Sequence, residues 1–132
     1  MKTTANDALE LSKKFRELSV TLGNYRFENW GEFTAGQRQQ LEDQEWTLLN
    51  YASDLTTMAV GITLDETQTT LSKIHDSITK AKNAVKKLDT IRKVINIAES
   101  GNRLAAAIVT KDPSAIAKAS ATLYQKATAK KT

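Results

Sequence analysis

Residues 64–109 read LDETQTTLSKIHDSITKAKNAVKKLDTIRKVINIAESGNRLAAAIV and contain no proline and one glycine. Apolar side chains fall at Leu71, Ile74, Ile78, Ala81, Val85 and Leu88, in alternating steps of three and four. That is the spacing of a helix that lays one seam against a neighbouring helix. Beyond Leu88 the phase slips through Ile91, Val94, Ile95 and Ala98, which turns the seam around the helix axis. The apolar face resumes at Leu104, Ala105, Ile108 and Val109. The stretch predicts one long helix over about 65–109, with Gly101 offering a kink or a close helix crossing inside it.

Three further helices flank it. The first is expected over about 6–22, capped by Asn6 or Asp7, with a seam of Ala8, Leu11, Phe15, Leu18 and Leu22. Gly23-Asn24 is its expected stop, because both residue types tolerate the left-handed conformation that ends helices. The second starts at Thr34, where Thr34 and Gln37 fit a capping box. Its seam runs through Leu41, Leu48, Ala52, Leu55, Ala59 and Ile62. Thr63-Leu64-Asp65-Glu66 is a further candidate capping box that opens the long helix. The last helix spans about 113–127, with Asp112 as cap and Pro113 at the first helical position, where a missing N–H matters least.

These lengths predict a single all-α domain over 1–132. The expected form is an elongated antiparallel bundle of three to four helices built along the long one, which unbroken would reach roughly 65–70 Å. The rival arrangement breaks the long helix near Gly101 and folds its end back into a four-helix bundle.

Charge is split along the chain. Residues 1–66 carry six Lys/Arg against eleven Asp/Glu, and residues 67–132 carry thirteen against four, for a net +4 overall. An acidic helix lies well beside a basic one, so the split favours antiparallel pairing within the chain, or leaves a basic face for an acidic partner. There is no cysteine and hence no disulfide framework. The N-terminus lacks the apolar core of a signal peptide, and no window approaches the roughly 20 apolar residues of a membrane span. The expected location is cytoplasmic.

No catalytic constellation, cofactor motif or metal-ligand set is legible. His75, the single histidine, has Asp76 beside it, and adjacent residues point to different sides of a helix. The acidic residues Glu28, Glu32, Glu42, Asp43 and Glu45 lack the Glu-x-x-His repeats of a di-metal bundle and read as a solvated face. Two features stand out as surfaces. Tyr25, Phe27, Trp30 and Phe33 place half of the chain's eight aromatics in the connection between the first two helices. They form either a plug at the end of the bundle or a partner surface, since aromatics dominate interface hot spots. Lys82, Lys86 and Lys93 form a candidate basic stripe for nucleic acid. Asp89 interrupts it and no aromatic interleaves the lysines, so a protein partner or self-association is preferred. A membrane-active or toxin-system role for the small-residue hairpin 104–123 ranks behind both. The reading is therefore a non-enzymatic helical interaction protein, expected to oligomerise, with no cofactor.

The seam itself is testable. Ile78→Ala is expected to lower the unfolding free energy by roughly 2–4 kcal/mol in urea titrations; a loss under about 1 kcal/mol would place Ile78 outside the core.

Overall fold

A computed structural model describes residues 2–57, 64, 69–87 and 90–128. Among these the chain forms five α-helices of similar length: α1 (Ala5–Glu28), α2 (Ala35–Thr56), α3 (Leu71–Lys87), α4 (Ile91–Val109) and α5 (Pro113–Thr128), with a 3-10 turn at Trp30–Glu32. Each element packs on two principal neighbours, in the circular order α1, α2, α4, α5, α3 and back to α1. The all-α class stands. The elongated three-to-four-helix bundle with one long helix does not.

The correction lies at the phase slip. The seam at Ile74, Ile78, Ala81 and Val85 is buried as the spacing predicts, but α3 ends at Lys87 and α4 begins at Ile91. Thr90 between them is extended, with φ −106° and ψ 114°. Two successive steps of three had turned the seam away from the face that α3 buries. Redirecting the chain there lets each half bury its own face. The rival break at Gly101 is not found either, because α4 is continuous through it. Gly101 serves a close crossing: a Cβ there would sit 3.1 Å from Leu18 Cδ2.

Helix α1 overruns its expected stop. Its N-terminal cap is Thr4, which with Asp7 forms a reciprocal capping box, and it continues past Gly23-Asn24 to Glu28. Gly23 is not a terminator. A Cβ there would lie 2.8 Å from Glu45 Oε1, so the missing side chain admits a carboxylate from α2. The Thr34–Gln37 capping box of α2 forms as expected. The predicted continuation of this helix to 62 lies outside the described residues, as do Thr63, Asp65 and Glu66 of the second predicted box; Leu64 is described and buried. The α4–α5 turn follows the sequence reading, with Asp112 accepting from the Ala115 amide at 3.2 Å and Pro113 opening α5.

Hydrogen bonds give the helix directions. Ser12 Oγ donates to the Ala52 carbonyl at 2.6 Å and Ser19 Oγ to the Glu45 carbonyl at 3.0 Å, so α1 and α2 run antiparallel. Lys14–Thr79 and Glu17–Lys82 contacts advance together along both helices, so α3 runs parallel to α1. Gln40–Glu99 and Gln44–Asn102 contacts do the same, so α4 runs parallel to α2. The antiparallel pairing of the acidic half with the basic half, expected from the charge split, is therefore not found; the three-four seams fix which faces meet and not the direction in which the helices run. Helix α5 bridges α3 and α4, and Ser77 meets Ser120 at 2.9 Å under it. Serine at these crossings is small enough for close backbone approach and supplies its own donor, so no buried hydroxyl is stranded there.

The Gly23 cradle makes an unusual prediction. Gly→Ala inside a helix ordinarily stabilises by about 1 kcal/mol. Gly23→Ala is expected to destabilise instead, because it displaces Glu45. In a Glu45→Ala background the ordinary gain should return. Urea denaturation of the four-member cycle reads the sign; a gain from Gly23→Ala in the parent chain would refute the cradle.

Candidate functional site

The aromatic segment divides in two. Tyr25 belongs to the last turns of α1 and Phe33 follows the 3-10 turn. Both are buried, and their rings meet edge to face at 6.0 Å. This pair is the plug. Phe27 is 67% exposed and Trp30 is 46% exposed, and these two rings stack at 5.9 Å with an interplanar angle of 11°. The period of the helix explains the division: two residues apart, Tyr25 and Phe27 point to opposite sides of α1.

Arginines frame the stack. The Arg26 guanidinium lies 4.6 Å from the Phe27 centroid, and that of Arg38 lies 4.6 Å from the Trp30 centroid. Arg38 also donates to the carbonyls of Trp30 at 3.0 Å and Phe33 at 2.9 Å, which ties the turn to the first turns of α2. Arg26 is itself buried and donates to both carboxylate oxygens of Glu45, at 2.7 and 3.2 Å. Glu42 stands 4.0 Å from it on the solvent side. The Glu45 bond holds the Arg26 guanidinium further above its ordinary value. A paired, buried guanidinium is positioned rigidly, because leaving either partner unmatched costs about 3–5 kcal/mol. The acidic cluster is therefore not uniformly a solvated face. Its one buried member, Glu45, sits on the α2 seam between Leu41 and Leu48, and an acid at a seam position was the signal for a buried partner.

More apolar surface continues from this corner. Leu9, Val20 and Phe27 are all exposed, and intervals of eleven and seven residues return to nearly the same bearing on a helix. They therefore share one row on α1, with Lys13 and Arg16 between Leu9 and Val20. On α2, Trp46 is 61% exposed. It lies one turn beyond Glu42, whose contact with Arg26 marks the α1 flank of α2. Of the six exposed large hydrophobic side chains among the described residues, four lie on α1 and α2 and Trp30 lies in the turn that joins them; the sixth is Tyr124 on α5.

The basic stripe is divided between elements. Lys82 and Lys86 lie on α3, and Lys82 donates to Glu17 at 3.2 Å; Lys93 lies on α4 beyond the break. An open groove of about 460 Å³ between α3 and α5 is lined by Lys73, Asp76, Tyr124 and Gln125, with Ser77 and Ser120 bonded to each other in its wall. Among the described residues no group of three or more His, Cys, Asp or Glu is placed to hold a metal ion, and no helix is long and apolar enough to cross a membrane.

His75 faces α1. Its Nε2 is buried without a hydrogen-bond partner among the described residues. Burial lowers its pKa, Lys14 lowers it further, and Glu10 and Asp7 oppose both. No known protein family, curated protein or solved structure matches the chain.

The His75 environment predicts a pH dependence. Its folded pKa lies below the unfolded value of about 6.5, so below that pH the unfolded chain binds the proton more readily. Stability should fall as pH drops from about 7.5 to about 5.5, and His75→Gln should flatten that slope. Urea midpoints at the two pH values measure it, and an unchanged slope in the variant would exclude His75 as the source.

Proposed function

We propose that this chain is a non-enzymatic helical docking module that binds protein through the outer face of α1 and α2. The exposed Phe27–Trp30 stack carries the reading. Large aromatic side chains flanked by arginine are the residue types that dominate binding energy at protein interfaces. Here they are held before any partner arrives, by the Arg26–Glu45 pair on one side and the Arg38 bonds on the other, which lowers the ordering that binding requires. Val20 and Trp46 extend the apolar surface along both helices. An exposed aromatic pair rimmed by arginines is apolar surface of the kind that marks interaction sites.

The alternative of nucleic acid has less support. A phosphate-tracking face needs free cations along one line. Lys82 is engaged by Glu17, and Lys93 stands on a different helix from Lys82 and Lys86.

A photo-crosslinking amino acid placed at Trp46, or at Tyr124 on α5 as control, tests the reading in cells that express the chain. A discrete protein adduct at position 46, absent at 124 and lost when Phe27→Ser and Trp30→Ser are added, is the expected outcome. No adduct at 46, or equal labelling at both positions, would remove the proposal.

A further inference from the structure

We infer that the occupant of the α1–α2 face is a second copy of this chain, packed about a two-fold axis that lays α1 of each copy over α2 of the other. This rests on the docking reading above and names its partner. Charge favours this pairing. The exposed α1 row holds Lys13 and Arg16 among Leu9, Val20 and Phe27, with no acid. The exposed α2 row holds one acid, Asp43, among Gln39, Trp46, Asn50 and Ser53, with no base; Glu42 borders it and contacts Arg26 of its own chain at 4.0 Å. A face with one row of net positive and one of net negative charge is mismatched to its own copy in a row-on-like-row arrangement. It is complementary to itself when a two-fold exchanges the rows, which is the condition for a closed isologous dimer.

The register of the apolar groups fits the same two-fold. The Ser19–Glu45 bond sets Trp46 level with the α1 turn that holds Arg16 and Val20. Exchanging the rows about that level places Trp46 of each copy over Val20 and Arg16 of the other. A central tryptophan then contacts an aliphatic side chain and a guanidinium at once, with polar rows outside it.

The area is also sufficient. α1 has 24 residues and α2 has 22. Side by side they present a face about 35 Å long and about 20 Å wide, roughly 700 Å² per copy. Stable interfaces take about 600–1,000 Å² from each partner. The face falls within that range when nearly all of it is covered.

Sedimentation of the purified full chain from micromolar to sub-millimolar concentration tests the inference. A dimer is expected, weakened at least tenfold by Trp46→Ser. Lys13→Glu with Arg16→Glu makes both rows acidic, and Asp43→Lys with Asn50→Lys makes both basic. Each double variant alone should be monomeric, and an equimolar mixture of the two should restore a dimer. All five positions are exposed, and unchanged helix content by circular dichroism verifies that each variant folds. A parent chain that stays monomeric, a dimer indifferent to these substitutions, or a mixture that fails to pair overturns the inference. If the parent is monomeric while the position-46 crosslink captures a different protein, the second copy is excluded and the docking reading survives. If neither forms, both fall.

Discussion

Helix α4 is buried around most of its circumference, and the rest of the fold is arranged to satisfy it. Val94, Ile95, Ile97, Ala98, Leu104, Ala105, Ala107 and Ile108 are all buried, together with Ser100, Gly101 and Asn102. A helix with one apolar stripe is content at the surface of a bundle, but one that is apolar on several sides has to be surrounded. That requirement excludes a straight continuation of α3 through α4, which would leave the far end of a rod with a single partner. Turning the chain at Thr90 brings α2 and α5 against α4 and lets Leu18 of α1 close over Gly101.

The five helices are held by apolar burial and tuned by small polar residues. Ser12, Ser19, Ser77 and Ser120 occupy crossings where a larger side chain would separate the backbones, and each spends its hydroxyl on a neighbouring helix. Gly23 does the same for Glu45. The consequence reaches the surface. Because Glu45 is admitted, Arg26 is drawn inward; because Arg26 is fixed, its guanidinium becomes a platform beside Phe27. A buried ion pair contributes little net stability compared with a well-packed apolar pair. Its value here lies in orientation, since it holds the Arg26 guanidinium 4.6 Å from the Phe27 centroid.

Much of this was legible and some of it was not, for reasons that can be named. Seam positions such as Leu11, Phe15 and Leu18, Leu41, Leu48 and Ala52, and Ile74, Ile78 and Val85 were readable because burial of one face imposes a three-four period. The Thr34–Gln37 box and the Asp112-Pro113 start were readable because capping is local chemistry. Gly23 misled because glycine has two uses in a helix, to end it or to admit something close, and only the partner distinguishes them. The aromatic cluster was visible as a cluster, but its division into a buried pair, Tyr25 and Phe33, and an exposed pair, Phe27 and Trp30, depended on α1 running one and a half turns further than its pattern suggested. The basic stripe placed Lys82, Lys86 and Lys93 on one face only on the assumption that Lys86 and Lys93 share a helix.

The period of apolar residues alone established helices and their buried faces, since a face that must be hidden writes itself into every third or fourth position. The phase slip after Leu88 was equally visible, but a slip is compatible with a curved rod, a supercoil or a break. Which of these occurs depends on whether neighbouring helices are available to cover the rotated face, and that is a property of how all five pack together. The direction of the chain at Thr90, the admission of Glu45 at Gly23 and the exposure of Phe27 were therefore decided by tertiary contacts, where each helix is judged by what it leaves its neighbours to bury.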